Sequence, residues 1–126
     1  MATQMPIKHI EMSFIVMPKD ANHYGNVHGG VIMKQADDIA YAIASKYSKM
    51  NVVTARLHEL NFINPVKVGD MVLLSADLVR VGKSSMDVIV RISGDKLTSG
   101  EIYEVADALF TMVAVDDLGK PSPIRH

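Results

Sequence analysis

The chain has no cysteine and no tryptophan, and only 6% of its 126 residues are aromatic. Without cysteine there can be no disulfide framework, thiolate zinc site or cysteine nucleophile, and a reducing cytoplasm is the expected compartment. Charge of one sign is lacking too. Thirteen basic residues face 14 acidic ones, for a formal net charge of −1, so neither nucleic acid nor an anionic membrane is expected as a partner. No apolar run approaches the roughly 18 residues of a membrane span. The five histidines show no HxxxH or HExxH spacing, and no metal site is expected. Met1 to Lys8 reads as neither a secretory signal nor a transit peptide. With no internal repeat, low-complexity tract or linker, one domain is expected over residues 1–126. Its core would lie at about 8–117, and 118–126 would form a loose tail around Gly119-Lys120-Pro121-Ser122-Pro123.

What is present is apolar residues, 48% of the chain, in two kinds of pattern. Between Val27 and about Tyr47 the period is helical: at about 100° per residue, Ile32, Ala36, Ile39, Ile43 and Tyr47 share one face, and Ala40 and Ala44 widen it. Short runs of Val, Ile, Leu and Phe predict strands at His9–Met17, Asn51–Phe62, Met71–Val81, Met86–Ile92 and Ile102–Val115. Pro18 to Gly25 is rich in turn residues, Gly82-Lys83-Ser84 forms a tight connection, and Gly94 to Gly100 a looser one. One strand, one long helix and four strands make an α+β domain with a largely antiparallel sheet on one helix. A single helix does not cover all of Val53, Leu60, Val72, Leu74 and Phe110, and nine methionines add apolar area. A homo-oligomer is therefore expected.

The chemistry concentrates at Asn26-Val27-His28-Gly29-Gly30 and at Asp37. Two glycines at a helix mouth let a carbonyl oxygen approach backbone N–H groups that the helix leaves without partners. They equally make a plain turn. On the helical wheel Asp37 lies at the rim of the apolar stripe, on the side of Gly30 and Met33, whereas Asp38 points away as a solvated carboxylate. Asp37 is thus a general base on water, a nucleophile towards the carbonyl itself, or a rim salt bridge. Asn26 either caps the helix or directs its amide at water or a carbonyl. His28 reads as a pocket-wall or hydrogen-bonding residue. The segment Arg80-Val81-Gly82-Lys83-Ser84-Ser85 is a charged hairpin turn whose Lys, hydroxyls and N–H groups suit a phosphate, although it lacks P-loop spacing.

Taken in order, these residues resemble the hotdog-fold acyl-CoA thioesterases. The match is carried by Met17-Pro18, Asn22, Gly25-Asn26-Val27-His28-Gly29-Gly30, Met33, Asp37, Val52-Val53-Thr54 and Phe62. It continues through Pro65-Val66, Val68-Gly69-Asp70, Val81-Gly82, Ser84-Ser85, Ala108-Leu109-Phe110, Val113-Ala114-Val115-Asp116 and Gly119-Lys120-Pro121. The resemblance implies a five- or six-stranded antiparallel sheet wrapped on one helix, in dimers joined edge to edge, often as a hexameric trimer of dimers. It also implies hydrolysis of acyl-CoA to free acid and CoA at the dimer interface, with Asn26 and Asp37 as catalytic residues from opposite subunits. His28, Gly29 and Gly30 would sit at the thioester carbonyl. Thr54, Arg80, Gly82, Lys83, Ser84 and Ser85 would lie towards CoA. No cofactor is implied, CoA being part of substrate and product. Two rivals remain: an acyl-thioester hydratase, disfavoured by the missing His-Phe-Pro pattern, and a non-catalytic acyl-CoA-binding module.

Overall fold

A computed structural model describes residues 7–125. Its elements, in chain order, are β1 (Lys8–Ile15), a 3-10 turn (Pro18–Asp20), α1 (Gly29–Ser48), β2 (Asn51–Phe62), β3 (Met71–Val81), β4 (Ser85–Lys96) and β5 (Glu101–Val115). The five strands form one sheet in the order β1-β3-β4-β5-β2, with every neighbouring pair antiparallel. The sheet curls around α1, which contacts all five strands. This is the hotdog fold. The sheet has five strands among the described residues, the lower of the two expected numbers.

Ile32, Ala36, Ile39, Ala40, Ile43 and Ala44 of α1 are buried. They meet the alternate residues of the sheet's inner face, including Val72, Leu74 and Leu78 of β3, Met86, Val88 and Val90 of β4, and Phe110 and Met112 of β5. Three alanines on the helix let its axis come close to the sheet, and this contact fixes the phase of every other helical residue. Of the five apolar residues that one helix was not expected to cover together, Val72, Leu74 and Phe110 are buried, while Val53 is 48% exposed. Alternation along the strand explains the difference: Val52 faces the helix and is buried, so its neighbour Val53 faces outward.

Three boundaries differ from the sequence expectation. The helix starts at Gly29 with His28 in the N-cap position, so Asn26 is not the cap. β4 runs on through Gly94 to Lys96, because Tyr103 of β5 pairs with Gly94 and covers it. The C-terminal residues to Arg125 are not a loose tail. Val115 bridges Pro121, Ser122 N–H donates to the Ala114 carbonyl, Ile124 N–H donates to the Lys83 carbonyl, and Ile124 is buried in the core.

α1 ends at Lys49, the one non-glycine residue with positive φ among those described, at φ 56° and ψ 34°. This left-handed position is normally glycine's. Relief of the Cβ conflict, less the lost attraction of a lysine for the helix C-terminus, should make Lys49→Gly more stable by about 0.5–1 kcal/mol. Thermal melts should show a midpoint a few degrees higher; an unchanged or lower midpoint would contradict this account of the cap.

Candidate active site

The loop before α1 is built around Asn22. Its side-chain Oδ1 accepts the Tyr24 N–H at 2.9 Å and the Asn26 N–H at 3.2 Å. Gly25, at φ 80°, closes the turn with its N–H on the Asn22 carbonyl. With Oδ1 so engaged, the Asn22 amide has its orientation fixed and its Nδ2 left to donate. Asn26 instead uses its backbone: its carbonyl accepts from Asn22 N–H and it bridges Lys67. The loop is tied to the strap after β2 by Val27 N–H on the Val66 carbonyl at 2.7 Å. His28 N–H donates to the Asp20 carbonyl, and its ring makes no capping bond.

The first turn of α1 is therefore uncapped by any side chain. Among the described residues the N–H groups of Gly29 and Gly30 have no acceptor, whereas Val31 N–H already reaches the His28 carbonyl at 3.0 Å. Both glycines are exposed. Two free donors at the positive end of a helix dipole form a place for an oxygen that gains negative charge.

Asp37 lies two turns further along. It is half-buried, and its Oδ1 accepts a 2.5 Å hydrogen bond from the Thr54 hydroxyl on β2. That bond leaves its second oxygen available. Asp38 is exposed and paired with Lys34 at 2.9 Å, as its phase requires. Thr54 shares the inner face with buried Val52, and the register of β2 slips just beyond it, between Thr54 and Arg56. Such a bulge re-aims the residues around it. Met33 and Tyr41, exposed apolar side chains one turn before and after Asp37, flank it on the helix.

Gly30 and Asp37 are separated by seven residues of helix, a rise of about 10 Å. Within one chain the free amides and the carboxylate lie on one side of α1 but too far apart to act on one carbonyl.

The β3–β4 hairpin is at the level of Thr54. Val53 pairs with Val113, and Val113 with Ser85, so the hairpin stands two strand spacings away, about 10 Å. Arg80 grips Asp87 through Nε at 2.6 Å and Nη2 at 3.2 Å, and Nη2 also donates to the Ser85 hydroxyl at 3.0 Å. The guanidinium is the main reason that the Asp87 carboxyl is held below its ordinary range. Asp87 also accepts from Thr111, which in turn meets His58 at 2.6 Å, so one polar chain crosses four strands on the outer face. A Cβ at Gly82 would lie 2.8 Å from Arg80 Nη1, so the guanidinium tip would have to move aside. Lys83 is exposed, and the Lys83 and Ser84 carbonyls hold the C-terminal segment and β5. Arg80 and Ser85 are thus already committed within the chain, and Lys83 is the hairpin cation with no ion pair among the described residues.

The geometry gathers the expected residues into two groups: His28, Gly29 and Gly30 at the helix mouth, and Asp37 with Thr54 two turns on. Sequence reasoning placed Thr54 towards CoA and missed its bond to the carboxylate; no periodicity signals a contact across 17 residues. It named Asn26, whereas the side chain whose hydrogen bonds organise the loop is that of Asn22. The sequence signal for Asn22 is its position three residues before a glycine that takes positive φ, where an Asn side chain commonly bonds the following backbone. No group of three or more potential metal ligands occurs among the described residues, and no helix there is long and apolar enough to cross a membrane.

A single helix held in a curled antiparallel sheet, with an amide-lined mouth and a carboxylate on the helix flank, defines a hotdog protein with an enzyme-like site. The Thioesterase superfamily profile matches residues 24–101, and the chain belongs to that family. It is 39% identical over 113 residues to an acyl-CoA thioester hydrolase of Haemophilus influenzae, covering 87% of this chain and 73% of that protein. An apo-hexameric acyl-CoA thioesterase superposes with a TM-score of 0.89 at 35% identity, over 92% of this chain and 74% of the other. The acyl-CoA hydrolase of Staphylococcus aureus, solved with butyryl coenzyme A, coenzyme A and coenzyme A disulfide, gives 0.85 at 34% identity, over 92% and 71%. That hydrolase has also been crystallised with an Asp, a Thr or an Asn replaced by Ala. In its numbering the Thr follows the Asp by seventeen positions and the Asn precedes it by fifteen.

Proposed function

We propose that this protein hydrolyses acyl-CoA thioesters to a free carboxylic acid and CoA, with Asp37 as general base. The observation that carries the reading is the Thr54–Asp37 hydrogen bond on the flank of a helix whose first two N–H groups are free. The separation of Thr54 from Asp37 equals that of the two residues exchanged in the S. aureus hydrolase, and fifteen positions back from Asp37, the spacing of the exchanged Asn there, falls on Asn22.

The mechanism follows from the parts. The thioester carbonyl oxygen sits against the Gly29 and Gly30 amides, beside His28. The free Asp37 oxygen takes a proton from water as the water oxygen bonds to the carbonyl carbon. The oxyanion so formed is held by the two N–H groups. Its collapse breaks the C–S bond, and the departing thiolate recovers a proton from Asp37. A thiolate leaves readily, so no strong general acid is required. Asn22 Nδ2, rather than Asn26, orients the water or the carbonyl. The reaction needs no metal and no cofactor, with CoA entering in the substrate and leaving as product. It is assigned to the cytoplasm.

The 10 Å between Gly30 and Asp37 calls for a second copy of the chain, whose carboxylate serves the amides of the first. The unpaired edge of β2 and the exposed Met33 and Tyr41 beside Asp37 suit that contact. A dimer is the unit of the reading, and three dimers give the hexamer seen in relatives. The Gly82–Ser85 hairpin, level with Thr54, is the side on which CoA is placed, with Lys83 free for a phosphate.

Thiol release from acetyl- through palmitoyl-CoA tests the reading. Turnover is expected, and Asn22→Ala should lower it by about 100-fold or more, the usual loss for one polarising donor, with Asn26→Ala affecting it far less. Folded oligomer that releases no thiol from any acyl-CoA would favour a binding module instead.

A further inference from the structure

Beneath the first turn of α1 lies a cavity of about 280 Å³ that the mechanism above does not use. Its walls are Val27, Gly29 and Ile32 from the helix mouth, Phe62 and Ile63 from the end of β2, and Val105 from β5. No charged residue lines it. Asn64 is its polar neighbour, and the Asn64 Nδ2 is already donated to the Glu104 carbonyl at 2.8 Å. A mainly apolar cavity favours aliphatic groups over the polar pantetheine arm. Gly29 belongs both to this cavity and to the pair of free amides, so an aliphatic chain filling it is continuous with a carbonyl held at the helix mouth.

One side differs from the rest. Ile32, Val66 and Val105 are buried, but Ile63 is 48% exposed and Phe62, the largest side chain there, 52%. Its ring stands over the helix start, with Cζ 3.4 Å from where a Gly29 Cβ would be. Glycine at 29 therefore lets the ring lie against the helix backbone. Phe62 ends its strand and is exposed in the single chain, so the ring is a side wall whose removal leaves the buried core intact.

We propose that Phe62 sets the length of the acyl chain that the site accepts, by closing the outer side of this cavity. The inference rests on the thioesterase reading. At about 280 Å³ the cavity falls just below the usual range for small-molecule pockets, about 300–1,000 Å³, which suits short and medium acyl groups. Phe62→Ala opens it outwards for longer chains; Phe62→Trp narrows it.

The test measures kcat/KM by thiol release for butyryl-, octanoyl-, dodecanoyl- and palmitoyl-CoA in the wild type and both variants, with melting temperature and oligomeric state alongside. Phe62→Ala should move the optimum to longer chains, by about fourfold in relative kcat/KM for each further methylene buried. Phe62→Trp should move it to shorter ones. An unchanged profile in both, or an equal loss for every chain length, would overturn the proposal. Affinity for butyl- and dodecyl-CoA thioethers, measured by titration calorimetry, reads the same cavity without turnover. A chain-length shift in affinity with no hydrolysis would sustain the role of Phe62 and sink the hydrolase reading. Hydrolysis with no shift by either method would do the reverse.

Discussion

Replacing Asp37 by Asn should lower thioester turnover by about 10²- to 10⁴-fold, the range for losing a general base. The protein should remain folded. An Asn oxygen can still accept the Thr54 hydroxyl, and Asp37 contributes nothing to the buried core. Loss should therefore appear in kcat, with KM for acyl-CoA and the melting temperature little changed. Asp38→Asn is the paired control. It gives up an exposed i,i+4 ion pair with Lys34, worth about 0.3–0.5 kcal/mol, and turnover should stay near that of the wild type. Near-normal activity in Asp37→Asn would remove the base from the mechanism. Relatives crystallised with an Asp replaced by Ala are consistent with a fold that tolerates such a change.

The largest loss of stability is expected far from that carboxylate, at Gly94. A Cβ there would lie 2.6 Å from Cε2 of Tyr103, which pairs with it across β4 and β5. The ring cannot simply withdraw, because its hydroxyl donates to Asp70 Oδ2 at 2.7 Å. Burial, reinforced by that bond and by the charge of Asp70, pushes the Tyr103 hydroxyl's pKa well above its ordinary value. Gly94→Ala must either strain the sheet or break the bond, and together these costs come to about 2–4 kcal/mol. Denaturant titration should show the loss, and a double-mutant cycle should show its source. With Tyr103→Ala already present, adding Gly94→Ala should cost little. An equal cost in both backgrounds would place the strain elsewhere.

Gly94 also illustrates what could be read from the sequence. A glycine between Ser93 and Asp95 resembles the end of a strand, and only the cross-strand ring shows that the strand continues. The helix was legible because Ile32, Ala36, Ile39 and Ile43 repeat at its period, and the same period separates Asp37 from Asp38 without further information. Local pattern failed where a partner is distant in sequence. Ile124, flanked by Pro123 and polar residues, resembles a loose end until its N–H is seen on the Lys83 carbonyl. Asn22 and Asn26 flank one short turn, and which side-chain amide is held in place depends on a bond between its ends. Thr54 lies in an exposed stretch of strand whose role follows from the carboxylate beside it.

The length of helix between Gly30 and Asp37 has a genetic meaning as well as a geometric one. On the two-copy reading each chain owns half of two reaction centres and the whole of neither. A pair formed from one intact chain and one lacking its carboxylate keeps one working centre, so damage to a single copy halves the output of that pair without abolishing it.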